Sequence, residues 1–194
     1  VDDRVTKKVS HKKATAFFGQ RNVETNQVKD TIIVGGGKIA YYLASQLLAM
    51  GIGVKLIEKD AVRCAELDDE LQGATVICAD GTDQSVLLEE GVTHTEAVVS
   101  LTNIDEENIL LSMFTKKKNS HAKVIAKVNR VMFDDVMKEL DIGSIIHTKS
   151  VMADYVTSYV RSMQNSIGSN VETLIHIIED KAEALEFRVR EKSE

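Results

Sequence analysis

The feature that most constrains the fold is a regular alternation of short apolar runs with segments of helical periodicity. Six apolar runs lie between residues 31 and 147, and a helical pattern separates each run from the next. Such strand–helix–strand units form parallel sheets with right-handed crossovers. Because the runs are continuously apolar, helices must cover both faces of the sheet. We therefore predict an α/β fold with a doubly wound, parallel, six-stranded sheet.

The periodicity also predicts the bounds of the elements. Strands are expected at 31–34, 54–57, 75–78, 97–101, 124–128 and 144–147, and helices at 38–50, 60–71, 83–90, 105–117, 131–140 and 151–163. In the second helix, Val62, Leu67 and Leu71 are expected to face the core. Two further strands are predicted at 171–178 and 184–189, where apolar and charged residues alternate in the second.

Composition limits the classes of partner and site. Apolar residues make up 43% of the chain, enough for one core, and the net charge of −6 argues against an electrostatic nucleic-acid binder. Cys64 and Cys78 lack the spacing of a metal site. We expect both to be buried free thiols, which favours a reducing cytoplasm, and we expect no metal.

A glycine-rich turn follows the first strand and opens the first helix. Residues 35–40, GGGKIA, have the form G-x-G-x-x-A. In this context Gly35 permits a tight turn, Gly37 allows a pyrophosphate to approach the backbone, and Ala40 keeps the helix close to the sheet. The helix N-terminus offers N–H groups and a partial positive charge to phosphates, and Lys38 adds a cation. The alternative is a plain strand-to-helix turn.

An acidic residue ends the second strand. Glu58 lies 23 positions after Gly35, where a carboxylate can accept hydrogen bonds from the hydroxyls of an adenosine ribose. It would repel a 2′-phosphate, so NADP is expected to be disfavoured, although Lys59 partly offsets that repulsion. The alternative is an exposed charge at a strand end.

Polar residues also follow the third and fourth strands. Asp80 could accept from an adenine amino group, or Thr82 or Asp83 could simply cap the next helix. Thr102 and Asn103 lie near the expected switch point of the sheet, where ligands bind, although Asn103 could also be only a cap. The complete set of candidate nucleotide-binding residues is Gly35, Gly37, Lys38, Ile39, Glu58, Lys59, Asp80, Gly81, Thr102 and Asn103.

The sequence does not predict an enzyme. Hydride transfer needs a second wall that holds substrate against the nicotinamide, and only residues 148–194 follow the sheet. No nucleophile elbow, Walker loop or H-E-x-x-H motif occurs, so no catalytic residue is assigned. Two alternatives stay open: an NAD-dependent oxidoreductase with a substrate wall from another chain, and a scaffold with an empty cleft.

Seven segments together resemble one family in order and spacing: 34–40, 56–60, 63–67, 76–83, 87–91, 101–108 and 126–130. They resemble the RCK domain, also called KTN or TrkA-N, of TrkA-like regulatory subunits of Trk-type potassium uptake. No single motif is specific, but the series is, and it covers roughly residues 30–165. In this scheme Lys38 matches a basic residue that is usually Arg, Glu58 the ribose-binding acid, and Asp80 the acid after the third strand.

The resemblance implies a nucleotide-sensing regulatory subunit, which binds NAD(H) or ATP/ADP in its Rossmann cleft and gates a membrane potassium transporter by conformational change. It implies a TrkH-like transporter subunit as partner, and homo-oligomers in which dimers build a ring. It also implies a cytoplasmic protein that is peripheral at the inner face of the cell membrane.

The resemblance further divides the chain. Residues 1–29 are expected to be a linker or the end of a preceding unit, and 30–149 the Rossmann nucleotide-binding domain. Residues 150–170 would form a crossover helix that joins subunits. Residues 171–194 would begin a small α+β C-terminal subdomain that is incomplete here, so we expect an excerpt from a longer protein.

Overall fold

A parallel six-stranded sheet forms the centre of the computed structural model, which describes residues 28–130, 142–165, 171–177 and 182–187. The strand order is β3-β2-β1-β4-β5-β6. The strands are β1 (Asp30–Val34), β2 (Gly53–Glu58), β3 (Thr75–Cys78), β4 (Ala97–Ser100), β5 (Lys123–Val128) and β6 (Ser144–His147). The order reverses between β1 and β4, which creates a crevice at the carboxyl edge. The predicted doubly wound Rossmann sheet is confirmed.

In the described part of the chain, four helices connect strands of the sheet and a fifth helix follows β6. They are α1 (Lys38–Ala49), α2 (Ala61–Glu70), α3 (Gln84–Glu89), α4 (Asp105–Lys118) and α5 (Thr148–Asn165). An antiparallel hairpin of β7 (Val171–Ile177) and β8 (Ala182–Phe187) forms a second sheet. The predicted helix at 131–140 and most of the predicted linker, 1–27, lie outside the described residues. Within the described part, no helix is both long and apolar enough to cross a membrane.

Two apolar clusters cover the two faces of the sheet. Ile33 packs with Ala40 and Ala44 of α1 in one cluster, whereas Ile32 packs with Leu87 and Leu111 of α3 and α4 in the other. Successive strand residues point to opposite faces, and Ile32 and Ile33 are both at most 2% exposed. Both faces of the central strands are therefore covered, as the continuous apolar runs predicted.

The predicted inward face of α2 is wrong at one position. Val62 is 71% exposed, whereas Cys64, Leu67 and Leu71 are buried. The buried residues follow the i, i+3, i+7 spacing of a single helical face. Val62 precedes Leu67 by five positions, which places it about 140° away around the helix.

The predicted burial of Cys78 is also wrong, whereas that of Cys64 is confirmed. Among the described strands, β3 pairs only with β2 and is an edge strand of the sheet. Its terminal residues Thr75 and Cys78 are exposed, and Val76 and Ile77 between them are only half-buried. An apolar run therefore did not ensure burial, because this strand lies at the margin of the sheet.

A buried amide joins the ends of β4 and β5. Asn108 of α4 is 0% exposed. Its Oδ1 accepts from the Thr102 N–H at 2.9 Å, and its Nδ2 donates to the carbonyl oxygens of Thr102 at 3.1 Å and Lys127 at 2.9 Å. The loop that follows β4 is therefore anchored from the side of α4.

The turn between β1 and α1 is shaped by two different glycines. Gly35 has φ +100°, and a Cβ there would lie 2.9 Å from backbone atoms of Leu101 and Thr102. Gly37 has an ordinary extended conformation, φ −68° and ψ −178°, and nothing lies within 4 Å of the position of its missing Cβ. Gly35 is thus required by the fold, whereas Gly37 borders open space.

We expect Asn108→Ala to lower the free energy of unfolding by about 2–4 kcal/mol, because the partly buried backbone groups of Thr102 and the buried carbonyl of Lys127 lose their partner. Urea denaturation measures this change. Asn103→Ala is the matched control, since its side chain is exposed, and should change stability by no more than about 0.5 kcal/mol. Equal losses in the two variants would contradict the anchoring role.

The glycine turn gives a second stability prediction. Gly35→Ala should lower the free energy of unfolding by at least about 1–2 kcal/mol, because a Cβ is disfavoured at positive φ and clashes with backbone. Gly37→Ala should change the free energy of unfolding by no more than about 0.5 kcal/mol, because reduced conformational freedom of the unfolded chain offsets a weaker helix cap. Thermal or urea unfolding distinguishes the variants, and a larger loss for Gly37→Ala would refute this account.

Candidate functional site

A cleft lies at the carboxyl edge of the sheet, where the strand order reverses. Its volume is about 180 Å³, below the range of about 300–1,000 Å³ typical of pockets that enclose a small molecule. A ligand of nucleotide size would therefore lie partly in the open. Eight of the ten candidate residues line the cleft: Gly35, Gly37, Glu58, Lys59, Asp80, Gly81, Thr102 and Asn103.

The other two candidates, Lys38 and Ile39, do not line the cleft. They form the start of α1, and both side chains are exposed, Ile39 by 49%. The structure also adds lining residues that the motif did not predict: Val34, Gly36, Ile57, Thr82, Leu101, Ile104 and Glu107. The apolar members among these are strand ends and loop residues, which a search for polar motifs does not detect.

The N-terminus of α1 adjoins the cleft without a side-chain cap. In the described part of the chain, no side chain caps this helix, whose N-cap is Gly37. By contrast, Asp60 and Asp83 accept hydrogen bonds from Arg63 N and Ser85 N and cap α2 and α3. The first N–H groups of a helix lack intrahelical partners and carry a partial positive charge. This end of α1 can therefore hold an anion.

The carboxylate of Glu58 is held by the main chain. One oxygen accepts from Gly36 N at 2.5 Å, and the other accepts from Lys59 N at 2.8 Å and Asp60 N at 2.9 Å. A carboxylate has about four acceptor positions, so about one remains for another donor. The half-buried Glu58 is therefore not the free, exposed strand-end charge that was the alternative interpretation.

Gly36 connects the turn to α2, and the sequence motif did not single it out. Gly36 is buried, and its carbonyl oxygen accepts from Arg63 Nε at 2.9 Å. A Cβ on Gly36 would collide with the side chains of Leu67 and Glu58. The motif G-x-G-x-x-A requires glycine only at its first and third positions. The additional glycine at the second position, Gly36, was therefore the sequence signal for this close contact.

The sequence left open which residue after β3 faces the cleft and which one caps α3, and Asp80 and Asp83 have one of these positions each. Asp83 caps α3, whereas Asp80 lines the cleft and accepts from Thr82 N at 2.9 Å and Thr82 Oγ1 at 2.7 Å. These hydrogen bonds from Thr82, with the charge of Lys59 in support, hold the pKa of Asp80 below its usual value. Asp80 is therefore an ionised acceptor at the rim of the cleft.

The loop after β4 forms the opposite wall. Thr102 Oγ1 accepts from Ile104 N at 3.2 Å and donates to Ile104 O at 3.1 Å, which closes a tight local turn. Asn103 is exposed and lines the cleft. Ile104 is the N-cap of α4, with no side-chain cap, so the alternative that Asn103 caps this helix is wrong.

Asp105, in the first turn of α4, ties this wall to the end of β5. Its carboxylate accepts from Asn129 N at 3.0 Å and from Arg130 N at 2.9 Å. Burial alone would raise the pKa of Asp105, but these hydrogen bonds outweigh it and the pKa is lowered. The charged carboxylate therefore helps Asn108 to fix the cleft wall.

Solved structures share this fold. The RCK domain of GsuK aligns with a TM-score of 0.63 and 18% identity over 86% of this chain and 35% of that chain. The GsuK channel bound to NAD gives 0.59 and 16%, over 85% and 30%. The Kef C-terminal domain of Shewanella denitrificans in its AMP-bound form gives 0.58 and 13%, over 70% and 80%. At these identities the likeness shows the fold alone.

Sequence relatives are more similar. The chain is 35% identical over 147 residues to a Trk system potassium uptake protein TrkA homolog of Archaeoglobus fulgidus, covering 75% of this chain and 32% of the relative. It is 31% identical over 159 residues to a homolog of the same name from Methanothermobacter thermautotrophicus, covering 82% and 70%. The chain spans about a third of the length of the first of these relatives.

The sequence model of the TrkA-N domain matches residues 31–148. This range begins at the second residue of β1 and ends at the first residue of α5, so it contains all of the parallel sheet except Asp30 and every residue that lines the cleft. It covers more than half of the chain. The chain therefore belongs to the TrkA-N domain family.

Proposed function

We propose that this chain is the nucleotide-sensing part of a regulatory subunit for potassium transport, with an adenine nucleotide, NAD(H) or ATP/ADP, as its ligand. The observation that carries the proposal is the meeting of the uncapped α1 N-terminus with two carboxylates, Glu58 and Asp80, in one cleft. The names of the relatives, which refer to potassium uptake, and the NAD and AMP bound in similar folds support it.

The arrangement of the cleft suggests how the ligand lies. The phosphates would occupy the open space beside Gly37, at the positive end of α1. A ribose hydroxyl would donate to the remaining acceptor position of Glu58, and the adenine amino group to Asp80. A 2′-phosphate would bring negative charge next to Glu58, so NADP would bind poorly. Lys38 and Ile39 would contribute to phosphate binding as residues of the first turn of α1, whose N-terminus faces the phosphates.

Regulation requires a conformational change that the ligand favours. A nucleotide can shift the shape of an assembly only as far as it binds one state better than the other. α5 would join copies, because it carries exposed apolar side chains that include Met152 at 63% and Tyr155 at 71%. The assembly is proposed to be a ring of dimers that contacts a TrkH-like transporter subunit at the cytoplasmic face of the membrane.

The division of the chain follows from this proposal. Residues 30–149 would bind nucleotide, and 150–170 would join subunits. Residues 1–29 and 171–194 would connect to a preceding unit and to a C-terminal subdomain. Chemical turnover has no place in this scheme, and no group of three or more potential metal ligands occurs among the described residues. Oxidation of NADH by a small carbonyl compound would instead favour the oxidoreductase alternative.

Ligand-dependent stability tests the proposal. At a hundredfold excess over its dissociation constant, a nucleotide that binds only the folded chain should raise stability by about 2.7 kcal/mol. We expect this shift with NADH, NAD, ATP or ADP and little with NADP, and we expect Glu58→Ala to abolish it. Because Glu58 also supports Gly36, the shift is measured against each variant's own ligand-free stability. Glu89→Gln, an exposed acid on α3, is the control, and no shift with any nucleotide would refute the proposal.

Gly37→Ala separates binding from folding. The added methyl group occupies the space assigned to the phosphates, so nucleotide affinity should fall at least about tenfold, or about 1.4 kcal/mol, while the fold is retained. Gly53→Ala is the matched control. Gly53 is the first residue of β2, at the amino ends of the strands and away from the cleft, and it has room for a Cβ. Isothermal titration measures both, and unchanged affinity in Gly37→Ala would place the phosphates elsewhere.

A further inference from the structure

The two cysteines of the chain lie side by side, although 14 positions separate them. β2 and β3 pair with Glu58 opposite Cys78. Cys64 of α2 donates a hydrogen bond from Sγ to the main-chain oxygen of the same Glu58 at 3.2 Å. The Cys78 thiol also lies close enough to Cys64 to raise the pKa of the Cys64 thiol. Both cysteines are free.

Their different exposure gives the two thiols different chemistry. Cys78 is exposed because β3 is an edge strand, so a dissolved oxidant can reach it. Cys64 is 7% exposed, on the face of α2 that packs on the sheet. An accessible cysteine beside a second, protected cysteine is the arrangement found where an oxidised thiol is resolved as a disulfide.

The surroundings of Cys64 determine the order of reaction. Burial raises the pKa of Cys64 to about 12, and the neighbouring Cys78 thiol and the negative charges of Glu58 and Asp60 contribute in the same direction. Cys64 therefore remains a thiol at neutral pH and is a poor first nucleophile, because the thiolate is the reactive form. The exposed Cys78 reacts first.

We propose that Cys64 and Cys78 are a redox site at which hydrogen peroxide produces a reversible disulfide between α2 and β3. The Cys78 sulfur attacks one oxygen of hydrogen peroxide, and the O–O bond breaks. Cys78 becomes a sulfenic acid, and the other oxygen leaves as water. The Cys64 sulfur then attacks the Cys78 sulfur, the S–O bond breaks, and a second water leaves with the proton of Cys64. Each thiol has lost one hydrogen, and hydrogen peroxide has been reduced to two waters.

The geometry supports the cross-link. Neighbouring strands lie about 4.8 Å apart, so Cys78 is near Glu58, and Cys64 reaches the Glu58 carbonyl from α2. Cross-linking would remove the S–H that donates to this carbonyl. It would also fix α2, whose Arg63 holds Gly36 of the glycine turn. The two cysteines therefore adjoin the cleft through Glu58 and Gly36, which both line it.

The experiment uses the reduced chain with and without hydrogen peroxide, followed by alkylation under denaturing conditions and peptide mass mapping. We expect loss of both free thiols, a linked pair of peptides that contain Cys64 and Cys78, and a monomeric band on a non-reducing gel. Dithiothreitol should restore two thiols. Cys78→Ser should retain its Cys64 thiol under the same treatment, and Cys64→Ala should accumulate a Cys78 sulfenic acid that dimedone traps.

The wild-type peptide map decides the outcome, so the conclusion does not depend on whether Cys64→Ala folds well. A treated wild-type chain that keeps a free Cys64 thiol while Cys78 is oxidised to sulfinic acid would overturn the proposal. Linkage of Cys78 between two chains, without the internal cross-link, would also overturn it.

Discussion

The cleft depends on the close approach of the glycine turn to the end of β4. Gly35 lies so near the backbone of Leu101 and Thr102 that no side chain fits between them. This contact sets where α1 begins, and the fully buried Ala40 and Ala44 then let α1 pack closely on the sheet. Because Asn108 anchors Thr102 from α4, the turn and the opposite wall of the cleft are parts of one connected unit.

The sequence predicted those parts of the fold that local patterns determine. Continuous apolar runs identified the six parallel strands, and the glycines after the first run identified the turn. Which strand lies at an edge depends on the topology of the whole sheet, so the exposure of Cys78 could not be read from its apolar surroundings. The orientation of Val62 was missed because α2 has apolar residues on more than one side.

The candidate site divides in the same way. Glu58 and Asp80 could be predicted because strand ends in a parallel sheet meet at one edge. The roles of Asn108 and Arg63 could not, since their hydrogen bonds reach residues 19 and 27 positions away, at distances that only the folded chain defines. The assignment of nucleotide-binding roles and of the chain's divisions remains a prediction.

The main-chain hydrogen bonds of Glu58 have a consequence for the thermodynamics of ligand recognition. A glutamate side chain loses about 1.5–2 kcal/mol of rotamer entropy when it is fixed in one conformation. Three main-chain N–H groups fix this carboxylate in the folded chain, so that loss occurs during folding. Preorganisation of this kind leaves more of the interaction energy to affinity and makes discrimination between a hydroxyl and a phosphate sharper, because the charge cannot move aside.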